Sequence, residues 1–129
     1  MPIPVSLLEK SAPGLANIEI CQGDTFYQSF VIRVNGIVVN LTGLTAALTV
    51  RASYGGAILA TAVCTIPVGT DGKIIARMTP LVTAALSVPG ALVTSRLAQL
   101  GFYDIDVSDG VDRVTVVTGV TTLSREVTV

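Results

Sequence analysis

The chain has 129 residues, half of them apolar and 13% charged, with a formal net charge of −1 and no histidine. That length fits one domain with its own core. Eight basic residues scattered singly argue against a nucleic-acid partner, and the missing histidine removes Ser-His-Asp and Cys-His catalysis and most catalytic zinc sites.

Residues 1–14 hold three prolines and a glycine around Val5-Ser-Leu-Leu-Glu-Lys10, which reads as an extended arm with at most one helical turn. Such an arm has little conformational entropy to lose on docking. From Leu15 the apolar period becomes two. Ile18, Ile20 and Cys21 predict a first strand. In a second, Phe26, Gln28, Phe30, Ile32 and Val34 share one face and Tyr27, Ser29, Val31 and Arg33 the other. Asn35-Gly36 is the strongest hairpin signal, since both turn positions tolerate positive φ, and Asn40–Gly43 is a further turn. Leu44, Ala46, Leu48 and Val50 alternate with Thr45, Ala47, Thr49 and Arg51 in a half-buried strand that Tyr54-Gly-Gly56 ends. Ala57–Ile66 follows, then a turn at Thr70-Asp-Gly72 into Lys73–Met78.

Thr79-Pro80 begins a short helix near 79–87, with Leu81, Ala84 and Ala85 as its apolar face. Ala91–Leu100 reads as either further helical turns or an irregular loop. Gly101–Val107 is a strand with Phe102, Asp104 and Asp106 opposite Tyr103, Ile105 and Val107. Ser108–Asp112 is a hairpin loop. Arg113–Leu123 is the longest β-rich run, with Gly119 marking a bulge or a close backbone approach, and Arg125–Val129 ends as a strand or tail. About eight short strands define an all-β, immunoglobulin-like or jelly-roll-type antiparallel sandwich over 15–129, with 1–14 as the arm.

Sequence alone offers no reaction centre. Asp104, Asp106, Asp109 and Asp112 are one residue out of step with a calcium loop and read as strand and turn residues. Cys21 and Cys64 read as reduced, structural thiols. No catalytic, metal or cofactor-binding residue is assigned. No window supplies about 20 mainly apolar residues to span a membrane, and Met1–Val5 lacks a secretion signal, so the chain is expected to be soluble and made in the cytoplasm. An average soluble domain is about 25% charged. With so few charges, part of this surface is expected to be covered by other protein, the alternative being a Thr- and Ser-rich uncharged surface.

Gln22-Gly-Asp-Thr-Phe26, Asn40-Leu-Thr-Gly-Leu-Thr-Ala46, Arg51, Asp71-Gly-Lys-Ile74, Met78-Thr-Pro80, Tyr103-Asp-Ile-Asp-Val107 and Gly119 to Glu126-Val-Thr128 follow in order along the chain. Their order and spacing resemble the N-terminal β-sandwich of tailed-phage baseplate upper proteins and related small virion proteins, over roughly residues 16–129. The resemblance implies a non-enzymatic, multi-copy tail, baseplate or fibre-attachment component of the virion, made in the host cytoplasm. Its partners would be other virion proteins and copies of itself, with no cofactor, nucleic acid or membrane. Two departures stand out: no receptor-binding or coiled-coil extension follows the sandwich, and Ser87–Gln99 is longer than the usual link. The first speaks against receptor binding, and the second marks a surface specific to one virion. Contacts are expected from Pro2, Ile3, Pro4, Val5, Leu7 and Leu8 of the arm, and from Val88, Leu92, Val93, Leu97 and Leu100. The same sandwich would serve a capsid decoration (cement) protein. A glycan- or receptor-binding module would instead need a shallow site lined by tyrosines and carboxylates.

Overall fold

A computed structural model describes residues 3–9, 13–92 and 94–126. One helical turn, α1 (Val5–Leu8), precedes β1 (Gly14–Leu15), β2 (Ile18–Cys21) and β3 (Phe26–Val31). The β4 (Arg33–Val34) and β5 (Ile37–Val38) hairpin follows. Its two turn residues, Asn35 and Gly36, have φ of 52° and 78°, the left-handed pair that a two-residue loop needs to match strand twist. Next come β6 (Thr45–Arg51), β7 (Ile58–Thr65), a 3-10 turn at Gly69–Asp71 and β8 (Lys73–Met78). Helix α2 (Pro80–Ala84) and the two long strands β9 (Leu97–Ser108) and β10 (Arg113–Ser124) complete the chain.

Eight strands form one curled sheet in the order β1-β10-β9-β6-β7-β8-β3, with β2 also on β10. The curl is made by β7: residues up to Ala62 pair with β6, and Val63–Thr65 pair with β8. One strand thus serves two layers, and the all-β sandwich expected from the alternating pattern is the fold. Leu48, Val50, Tyr103, Ile105 and Val107 of the first layer meet Phe26, Phe30, Ile74, Ala76 and Met78 of the second in one apolar core. The Phe30 and Tyr103 rings lie 6.2 Å apart across it.

The expectation of a wholly antiparallel sheet is corrected at one edge. β1 and β2 run parallel to β10, with Gly14 beside Val117 and Ile18 beside Thr121. Parallel pairing needs a long connection, and here nearly the whole domain lies between the partners, a non-local pairing that no turn signal announces.

The helix is also shorter and differently seated than its sequence suggests. Thr79 caps it through its carbonyl, which accepts from Val82 and Thr83 N–H, and its hydroxyl makes no capping bond. Leu81 is exposed, while Thr83 and Leu86 are buried. Thr83 turns inward because its hydroxyl donates to the Asp24 carbonyl at 2.7 Å, which satisfies a polar group that burial would otherwise penalise.

Strand β9 reaches back to Leu97, so the last four residues of Ala91–Leu100 are neither helix nor loop. A register shift lies between Thr121 and Thr122, where Gly101 and Gln99 are their partners and Leu100 is the extra residue. The bulge carries Leu100 into the core and breaks the alternation that would have announced a strand. A Cβ at Gly101 would collide with the Arg51 carbonyl.

Candidate interaction surface

The arm does not extend away from the domain. Ile3 and Leu7 belong to the core, and α1 packs against β10. Proline at position 4 and a four-residue helix place Leu7 inward while Val5 and Leu8 stay exposed. The Ile3 N–H donates to Asp109 Oδ2 at 3.2 Å. Asp109 Oδ1 also accepts from Val111 and Asp112 N–H, at 2.8 and 2.7 Å. These bonds, that of Asp112 first, hold the Asp109 carboxyl below its ordinary pKa. Its role is to close the β9–β10 loop and to tie down the N-terminal segment.

The expected contact residues therefore separate. Ile3, Leu7 and Leu100 are buried within the chain and are corrected from contact residues to core residues, because each fills the space between the layers. Val88 packs partly against the core, and Pro4 is half-buried. Val5, Leu8, Leu92 and Leu97 remain exposed. Pro2 and Val93 lie outside the described residues, as does the end of the tail at 127–129. The segment after α2 is pinned, since Arg125 Nη1 donates to the Leu92 and Ser95 carbonyls at 2.8 and 3.0 Å. Its backbone N–H adds a bond to the Arg96 carbonyl at 2.7 Å. Arg125 is thus a clamp on the segment that presents Leu92 and Leu97 at the surface.

A second surface feature escaped the sequence. Tyr54, 77% exposed, stacks on Phe102 with ring centroids 4.5 Å apart and planes 20° from parallel. A shallow recess of about 70 Å³ on one side is lined by Thr49, Arg51, Ser53 and Asp104. Another, of about 280 Å³, is lined by Leu15, Asn17, Thr118 and Val120. Arg51 Nη1 donates to the Gly56 carbonyl at 2.7 Å and fixes the loop that carries Tyr54. The available signal was Phe102 on the outward parity of its strand, next to a tyrosine ahead of two glycines.

Asp104 and Asp106 lie on β9, and Asp109 and Asp112 in the loop that joins it to β10. Asp106 accepts from the Thr115 hydroxyl at 2.7 Å and lies 4.0 Å from the mostly exposed Arg113 guanidinium, a solvated pair worth little. Among the described residues, no three His, Cys, Asp or Glu side chains gather as a metal site, and no helix is long and apolar enough to cross a membrane. Both cysteines are free, and burial pushes the Cys64 thiol up. A larger cleft of about 800 Å³ between α1 and the segment from Val31 to Asn35 has Glu9 and Arg33 as its charged groups among the described residues.

Tyr103 ties the two edges of this surface together. Its hydroxyl donates to the Ala16 carbonyl at 2.5 Å, passing beneath Gly119, its cross-strand partner on β10. Burial, and then the Asp104 carboxylate, push its pKa up to about 12 from an ordinary 10.0. The folded chain thus keeps a proton that the unfolded chain loses first, so this stabilisation is complete below the unfolded pKa and is lost as pH rises through the folded one. Urea midpoints are expected to fall between pH 10 and 12, and Tyr103→Phe to flatten that decline. An identical decline in the variant would assign it to other groups.

The geometry defines an all-β sandwich with an exposed aromatic platform and scattered apolar surface. No protein-family model and no curated protein matches it. Among solved structures it is similar to the ZIG-8–RIG-5 IG1–IG1 heterodimer at 10% identity, over 89% of this chain and 85% of that one, with a TM-score of 0.38.

Proposed function

We propose that this chain is a non-enzymatic structural component of a tailed-phage virion, present in many copies at a tail, baseplate or fibre junction. The observation that carries the reading is how much apolar surface so weakly charged a chain leaves exposed. Val5 and Leu8 stand on α1, Leu92 and Leu97 on the pinned loop, Tyr27, Val31 and Val63 on the second layer, and Leu15 and Tyr54 beside β10. A domain that worked alone would ordinarily set more charge among such residues. The order of motifs from Gln22 to Glu126 supplies the virion setting.

The test is mass spectrometry of gradient-purified particles followed by antibody labelling in electron microscopy. Many copies per particle with label on the tail are expected. Label on the head would make the chain a cement protein, and absence from purified particles would remove the virion role. The Tyr54–Phe102 platform beside Asp104 favours one other reading, a glycan-binding module. If that reading is right, immobilised glycans retain the isolated domain and Tyr54→Ala releases it; no retention of the native chain ends it.

A further inference from the structure

The two edges of the curled sheet are treated differently. At one, β1 and β2 cover β10. At the other, β3 pairs with β8 alone among the described residues. Natural edge strands are usually guarded by charge, proline or a bulge, and Phe26-Tyr-Gln-Ser-Phe-Val31 has none of these.

Which backbone groups are free follows from the register. The pairs Phe26–Met78 to Val31–Lys73 continue to Ile32, whose N–H donates to the Gly72 carbonyl at 2.8 Å. Hydrogen-bonded pairs alternate along an antiparallel ladder, so even-numbered residues of β3 face β8. The N–H and C=O groups of Tyr27, Ser29 and Val31 face away from it, three donors and three acceptors in a row, the Ser29 carbonyl holding one long bond, 3.4 Å, from the Gln28 side-chain amide.

We propose that two copies of this chain join antiparallel through β3, about a twofold axis at Ser29. Antiparallel partners must present the same face, which restricts the register to steps of two. Centring on Ser29 places Tyr27 opposite Val31 of the second copy and satisfies all the free groups of both strands in six bonds. A shift of two residues either way leaves an odd-numbered residue unpaired in each copy. Tyr27 and Val31 are both exposed, and an aromatic residue opposite a β-branched one is a favourable cross-strand pair. The strand carries no charge, and Lys73 and Arg77 sit one strand back on β8, so the axis brings no like charges together. Backbone pairing of this kind is β-augmentation with the chain as its own partner. It deepens the assembly role by naming a copy-to-copy contact.

Ser29→Pro tests it, because that residue's N–H faces away from β8 and an edge strand tolerates proline there. In sedimentation velocity, the native chain is expected to dimerise, and S29P to weaken dimerisation at least tenfold with an unchanged circular dichroism spectrum. Independently of how S29P folds, Ser29→Cys in a chain with Cys21 and Cys64 replaced by serine should form a disulfide dimer under mild oxidation. The paired Cα atoms would lie about 5.5 Å apart, within disulfide reach, whereas Thr61→Cys in the same background, on a strand paired within the sheet, should form no disulfide dimer. A native chain that is monomeric at millimolar concentration, an S29P chain that is folded and dimerises as before, or an S29C chain that does not cross-link overturns the pairing. Dimerisation by a chain absent from virions would remove the assembly role and leave the pairing. A chain found in virions whose S29C variant stays uncross-linked would do the reverse.

Discussion

Valine in place of Gly119 is expected to destabilise the domain by about 3 kcal/mol or more, the upper range for overpacking against atoms that cannot yield. A Cβ at this position would run into the carbonyl oxygen and carbon of Ala16 and press on the edge of the Tyr103 ring. The Ala16 oxygen is also the acceptor of the Tyr103 hydroxyl. Displacing it would strand a buried phenol, at a further cost of about 1–3 kcal/mol if no water replaces the bond. Two flanking bonds, Ala16 N–H to the Thr118 carbonyl and Val120 N–H to Asn17 Oδ1, both at 3.0 Å, would loosen with it. The measurement is chemical unfolding of Gly119→Val beside Gly14→Ala. Among the described residues, a Cβ at Gly14 meets only the Val116 carbonyl, at an ordinary 3.5 Å, so that variant should stay within about 0.5 kcal/mol of the native chain. Equal midpoints for both would show that β1 is free to move away from β10.

Leu7→Ala is expected to cost about 3 kcal/mol, within the 2–5 kcal/mol usual for emptying a buried leucine site. Leu8→Ala, its neighbour, should change stability by no more than about 0.5 kcal/mol. The contrast rests on placement alone: Leu7 is 1% exposed and Leu8 48%. Guanidinium unfolding of both variants, followed by a chain lacking residues 1–9, decides whether the segment is part of the core. A truncated chain that unfolds like the native one would return the segment to the status of a separable arm.

The features legible in the sequence are those written in a local period. Phe26 and Phe30 announce the inward face of β3, with Ile32 just beyond it, Leu48 and Val50 that of β6, with Leu44 just before it, and Tyr103, Ile105 and Val107 that of β9, and all are buried. Asn35-Gly36 announces its hairpin for the same reason, since the turn chemistry is contained in two residues. What could not be read depends on distant parts of the chain. A four-residue helix has no period to show that Leu7 points inward while Leu8 does not. Thr83 reads as a surface residue until the Asp24 carbonyl supplies its partner. Leu100 hides strand β9 because a bulge shifts the alternation. The interaction surface was legible only in part for a related reason. Composition shows that charge is scarce, but which apolar residues stay outside is decided by tertiary packing, which buried Ile3, Leu7 and Leu100 and left Tyr54 and Phe102 stacked at the surface.

The parallel seating of β2 beside β10 has a mechanical consequence. Tension applied between the segment before β1 and the segment after β10 pulls the two neighbours in opposite directions along their shared axis. The bonds from Ile18–Thr121 to Cys21–Ser124 then bear load together in shear instead of opening one after another like a zip. Beside them, the Tyr103–Ala16 bond and the Arg125 clamp tie the two loaded segments to the rest of the domain. Drawing such a domain out from its two ends requires a whole ladder to slip at once.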